Sequence, residues 1–98
     1  MTISKKANGT SLEIAVSGRI DSVTAPELEA ELSASLDGVE HLTLDFKEIS
    51  YISSAGLRVL LSSQKRMNAQ GDMKVTNVNE AVMEIFDVTG FSDILCIE

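Results

Sequence analysis

The sequence predicts a single α/β domain, a mixed and mostly parallel sheet of about five strands covered by helices, in the order β-β-α-β-α-β-α-β. Three observations carry that expectation. After an opening hairpin, stretches with strand alternation take turns with stretches of helical periodicity, the pattern that right-handed crossovers turn into parallel neighbours. The 98 residues are 44% hydrophobic and 23% charged, with six Gly and one Pro, close to ordinary globular usage. At 10.6 kDa, surface scaling gives roughly 5,500 Å² folded against roughly 15,000 Å² unfolded, which suffices for one core and not for two. No repeat, linker or low-complexity tract divides the chain, so residues 1–98 read as one domain.

Ile3 to Ser17 read as a hairpin, with Asn8-Gly9 as the tight turn and a second arm alternating Leu12, Ile14, Val16 against Glu13, Ala15, Ser17. The next helix opens with Thr24 as N-cap, Pro26 in the first turn and Glu27 three residues after the cap. Its apolar stripe is Leu28, Leu32 and Leu36, with Ala25 and Val39 at the margins, and Glu27, Glu29 and Glu31 lie where the helix dipole favours anions. Asp37-Gly38 ends it. His41 to Phe46 alternate as a strand with Leu42, Leu44 and Phe46 inward, and Lys47 to Ile52 read as a loop.

Ser53-Ser54 then precede a helix running to Asn68, with Leu57, Leu60, Leu61 and Gln64 or Met67 on one stripe and Lys65/Arg66 in the last turn. Gln70-Gly71-Asp72 is a turn, Met73 to Val78 a strand, Glu80 to Val88 a helix stopped by Gly90, and Ile94 to Ile97 a last strand. Met67, Met73, Met83 and Phe86 are expected in the core.

Eight Lys and Arg against fifteen Asp and Glu leave a net charge of −7, and the only close basic pairs are Lys5/Lys6 and Lys65/Arg66. Direct nucleic-acid binding is therefore not expected, since it rests on grouped cations, and an acidic membrane surface would repel the chain. The single Cys96 cannot form an internal disulfide; within Ile94-Leu95-Cys96-Ile97 it reads as a small buried hydrophobe. The residues from Met1 to Lys6 lack the apolar core of a signal peptide, and no run reaches membrane-span length. A cytoplasmic protein is the expectation.

In sheets of this kind functional groups gather where strands end and helices begin, and two such junctions stand out: Gly18 to Ser22 and Tyr51 to Leu57. A serine at a helix start sits beside backbone N–H groups that lack helical partners. A phosphate on it would add about −1.5 to −2 charges at the end of the helix that favours anions. Gly56 fits such a site, because a missing Cβ lets another chain or a phosphate approach the first turn. On physics alone the ordinary reading is the stronger one, since most serines before helices are only N-caps, with a stability effect of about 1 kcal/mol.

From about Ile3 to Ile97 the chain resembles STAS domains of the anti-sigma factor antagonist family. The matching pieces are Gly18-Arg19-Ile20-Asp21-Ser22, Leu42-Thr43-Leu44-Asp45-Phe46, Ile49 through Leu57, Lys74 through Val78, and Val82 through Phe91, in that order and spacing. The resemblance implies a phosphorylation-controlled partner switch with no catalytic role and no cofactor. The unphosphorylated form binds an anti-sigma factor that is also a serine kinase, phosphorylation releases it, and a PP2C-type serine phosphatase resets the protein. The acceptor falls on Ser54 and the loop aspartate on Asp21. Many members carry Asp where this chain has Ser53, so Ser53 stands as the second-choice acceptor. Partner contacts are expected at Asp21, Ser22, Thr24, Ser53, Ala55, Gly56 and Arg58. The alternative use of the fold is a non-catalytic subunit of a transport or stress-signalling complex.

Enzymatic readings find little support. His41 is the only histidine, and no Gly-x-Ser-x-Gly elbow surrounds Ser53 or Ser54. One Cys and one His cannot supply a usual metal site, and no Gly-rich phosphate loop occurs. Asp45 reads as a strand-end residue that caps locally rather than as a phospho-acceptor. Tyr51 is open to two readings, a lining residue of the partner surface or an ordinary half-buried loop tyrosine.

Overall fold

Gly9 turns the chain back on itself at φ +62°, pairing β1 (Thr2–Asn8) with β2 (Ser11–Ile20) antiparallel. The structure, a computed structural model, describes all residues from Met1 to Glu98. The two loop residues are Gly9 and Thr10, one position later than expected: only the first needs a positive φ, so Asn8 stays in the strand. α1 (Ala25–Ser35), β3 (His41–Ile52), α2 (Ser54–Gln70), β4 (Asp72–Thr76) and α3 (Glu80–Thr89) follow, and a 3-10 turn spans Phe91–Asp93.

The sheet has four strands in the order β1-β2-β3-β4, with β2-β3 and β3-β4 parallel. Register rows Leu12–Leu42–Met73 and Ile14–Leu44–Val75 form its inner face. The helices cover that face in one core of 22 buried residues, to which α1 gives Leu28 and Leu32, α2 gives Leu57, Leu60 and Met67, and α3 gives Val82 and Phe86. The other face is polar, with Lys6, Glu13, Thr43 and Lys74 in one row across it. The accessible surface is 5325 Å², close to the roughly 5,500 Å² that chain mass predicts.

β3 is twelve residues long, and its second half, Lys47 to Ile52, is strand rather than the expected loop. Twice β3 sets an extra residue against β2: Ala15 and Ser17 pair with Asp45 and Glu48, and Gly18 and Arg19 pair with Ile49 and Tyr51. These bulges stretch the inward spacing from Leu42, Leu44 and Phe46 to Ile49 and Ile52, which hides the strand from a period-two reading.

α2 runs on to Gln70, so Lys65 and Arg66 lie before its last turn. Arg66 reaches across to Asp37 at 2.6 Å, and Gln70 Nε2 donates to the carbonyls of Leu36 and Val39. Leu61 is half-buried, while Gln64 is buried: its Nε2 donates to Asn68 Oδ1 at 2.8 Å and its Oε1 has no partner.

The expected last strand shrinks to one parallel bridge, Val75 to Ile97. Ile94 is helical at φ −96°, ψ −41°, which leaves only the final residues extended. The Val75 N–H donates to the Cys96 carbonyl and the Glu98 N–H to the Val75 carbonyl. Leu95 takes the buried place there, so Cys96 is exposed, contrary to the buried hydrophobe its run implied.

Candidate functional site: the β2 and β3 ends at the start of α2

Parallel pairing of β2 with β3 sets Ile20 beside Ile52, and the Ser53 N–H donates to the Ile20 carbonyl at 2.8 Å. The loop after β2 and the start of α2 therefore leave the sheet side by side. This is the geometry that brings Asp21, Ser22, Ser53 and Ser54 to one edge.

Within the loop, Asp21 Oδ1 accepts the N–H groups of Val23 and Thr24, both at 3.0 Å. Thr24 Oγ1 donates to the Arg19 carbonyl at 2.7 Å and accepts the Asp21 N–H at 2.9 Å. Thr24 holds the N-cap position of α1 but makes no side-chain cap bond. That corrects the expected cap: the hydroxyl closes the loop, and Asp21 serves the free N–H groups. Hydrogen bonds from the Thr24 and Val23 backbones, more than the Arg19 charge, hold the Asp21 carboxyl below its usual range. The loop thus presents a fixed anion.

At the start of α2, Ser53 is the N-cap, extended at φ −93°, ψ 176°, and its Oγ accepts the Gly56 N–H at 3.4 Å. Ser54 is the first helical residue and is exposed. Ser53 is thus occupied in capping while the Ser54 hydroxyl is left to solvent.

Gly56 is buried, and a Cβ there would lie 2.6 Å from Ile20 Cγ2 and 2.7 Å from Ile52 Cγ1. Its bareness lets α2 sit down on the ends of β2 and β3; the expectation that it opens the turn to a phosphate or partner is corrected. Ala55, Arg58 and Ser22 do meet. With Pro26, Glu29 and Val59 they line a cleft of about 270 Å³ between the starts of α1 and α2.

Two residues beyond the expected set belong to this edge. Arg19 lies over the Tyr51 ring, 4.6 Å from its centroid, with Nε 3.9 Å from Asp21 Oδ2. Val23, next to Ser22, is 81% exposed. The Arg19–Tyr51 pairing depends on a bulged register that no local pattern announces. Val23 had a signal, an apolar side chain in an otherwise polar turn. Tyr51 is 37% exposed.

Neither serine hydroxyl hydrogen-bonds a histidine or carboxylate side chain; that of Ser53 accepts the Gly56 N–H. His41 lies at the far end of β3, with Nδ1 3.0 Å from Asp72 Oδ1. Asp45 accepts from Asn77 Nδ2 and the Lys47 N–H, both at 3.0 Å, and the Asn77 bond foremost holds its carboxyl below the usual range. That local pairing was expected, but within β3 rather than at a strand end. No group of three or more His, Cys, Asp or Glu gathers anywhere, and no helix is long and apolar enough to cross a membrane.

The chain is thus a small α/β domain, a helix-covered and mostly parallel sheet with an exposed serine at the head of α2. The STAS domain model matches residues 2–98, and the chain belongs to that family. Among its relatives, BtrV of Bordetella bronchiseptica, assigned as an anti-sigma factor antagonist, is 40% identical over 79 residues, covering 79% of this chain and 68% of that protein. The anti-sigma-B factor antagonist of Bacillus subtilis is 31% identical over 96 residues, 97% of this chain and 88% of that one. The crystal structure of an anti-sigma factor antagonist from Mycobacterium paratuberculosis matches with a TM-score of 0.88 at 25% identity, covering 98% of this chain and 83% of the other.

Proposed function

We propose that this protein is an anti-sigma factor antagonist: unphosphorylated, it binds an anti-sigma factor that is also a serine kinase, and phosphorylation of Ser54 by that kinase ends the binding. The observation that carries the reading is the division of labour between adjacent serines. Ser53 is held as the N-cap of α2, whereas Ser54 is exposed at the first helical position.

The sign of the switch follows from charge. A phosphate at Ser54 is tolerated by the isolated domain, because the helix start favours anions. In a complex, however, the same dianion must lose water beside the ionised Asp21, in a chain of net charge −7. Binding is lost without unfolding. The partner surface in this reading comprises Ser22, Ala55 and Arg58 around their cleft, with Val23 and Tyr51 as apolar contacts and Asp21 and Thr24 shaping the loop. A PP2C-type serine phosphatase resets the protein, the setting is cytoplasmic, and the domain itself performs no catalysis.

The test is reconstitution with the cognate kinase. Ser54→Ala keeps binding and takes up no phosphate, while Ser54→Asp binds about a hundredfold more weakly, a loss of about 2.7 kcal/mol. Its melting temperature stays at or above that of the unmodified chain. Equal phosphate uptake by Ser54→Ala moves the acceptor to Ser53 and contradicts the assignment.

A further inference from the structure

Beyond the Ser54 edge, the outward side of α3 carries features that the proposed switch leaves unused. Ala81, Ile85 and Val88 recur at i, i+4 and i+7 and form one stripe, with Ala81 and Val88 exposed and Ile85 half-buried against the core, bordered by Glu84 and Thr89 around a shallow depression of about 290 Å³. Val88 is 81% exposed, and Ile94, beyond the 3-10 turn that packs against α3, is 47% exposed. None of these residues lines the cleft at the start of α2.

Charge says what covers this stripe. From Val75 to Glu98 the chain has carboxylates at Glu80, Glu84, Asp87, Asp93 and Glu98 and no Lys, Arg or His. Glu98 is paired with Lys74, and the other ion pairs of the protein engage carboxylates elsewhere. Glu84 and Asp87 thus stand uncompensated beside an apolar stripe. A second copy of the chain related by a two-fold axis would set these carboxylates against their own kind. An anionic lipid surface would be repelled as well.

We propose that the outward stripe of α3 is a second docking surface, which takes a basic amphipathic helix of another protein, its apolar ridge on Ala81, Ile85 and Val88 and its Lys or Arg on Glu84 and Asp87. Ala81 lets the helices approach closely, and the spacing matches ridge-into-groove packing.

The test is an amide NMR titration of the whole chain with a short Leu/Lys amphipathic helical peptide, against its Leu/Glu counterpart. Shifts confined to residues 80–95 and seen only with the Leu/Lys peptide are expected. Val88→Ser, which removes apolar contact without altering charge, weakens the binding by roughly tenfold. Glu84→Lys weakens it further, and Ser54→Asp leaves it unchanged, so the two surfaces stand or fall separately. Shifts spread equally over Glu27, Glu29 and Glu31 of α1, indifference to Val88→Ser, binding of anionic vesicles, or self-association abolished by Val88→Ser each overturn the proposal.

Discussion

Ser53 and Ser54 are chemically identical neighbours, and one backbone step separates their roles. The extended conformation of Ser53 turns its Oγ onto the Gly56 N–H, while Ser54 enters the helix exposed. A sequence can place serines at a helix start, but which of them caps is decided by that one dihedral. Asp21 took the capping expected of Thr24 for a related reason, because short polar side chains compete to pair the free backbone N–H groups near a helix start. Asp21 gives a prediction of its own. Its folded pKa is depressed, so the native state binds fewer protons than the unfolded chain. Its stabilising contribution is present above the unfolded value, about 3.9, and is lost as pH falls through the folded one. In an NMR titration the Val23 and Thr24 amides should follow the Asp21 carboxyl with a midpoint below 3.8; a midpoint at or above that value contradicts the bonding described. Gln64 yields another. Its buried Oε1 lacks a partner, so Gln64→Met, similar in volume and free of that group, should stabilise the fold by about 1 kcal/mol. Thermal unfolding reads this as a rise of roughly 4–8 °C.

At the scale of elements, legibility tracks regularity. α3 lies where it was expected because Asn79 caps it through the Val82 N–H and Gly90 stops it at φ +82°. The first half of β3 was legible through Leu42, Leu44 and Phe46, and the second half was not, since two bulges break the alternation at the point where the strand approaches the site. The bulges also bring Arg19 beside Tyr51, so this part of the site was hidden for the same reason as the strand. The terminal strand failed differently: Ile94-Leu95-Cys96-Ile97 is a short apolar run of a kind that fits strand or turn, and the preceding 3-10 turn leaves too little chain to extend. Gly56 is where element packing and site meet. Gly56→Ala must displace Ile20 or Ile52, whose branched side chains are stiff, at a cost of about 1–3 kcal/mol. Chemical denaturation should show that loss, and an unchanged midpoint would mean that α2 does not rest on those strands as closely as described.

Over the whole molecule, mass and composition sufficed for one domain of the observed surface area, and the βα alternation sufficed for the parallel sheet. The number of strands and the fate of the chain end lay beyond them, because both depend on long-range hydrogen bonds to β4. Charge is uneven in the fold in a way that the net figure conceals. The Ser54 edge holds Arg19 and Arg58 among its polar groups, whereas the chain beyond Lys74 has only carboxylates. In the proposed switch, a phosphate at Ser54 adds a dianion to an edge that is mixed in charge and partly apolar, where a bound partner must exclude water.

The most direct test of that account is intact-mass and peptide mass spectrometry of the protein purified from its native host, before and after phosphatase treatment. The account predicts a single removable phosphate, on the peptide that carries Ser54 and on that residue. Phosphate on Ser53 instead, or none under any growth condition, would contradict it.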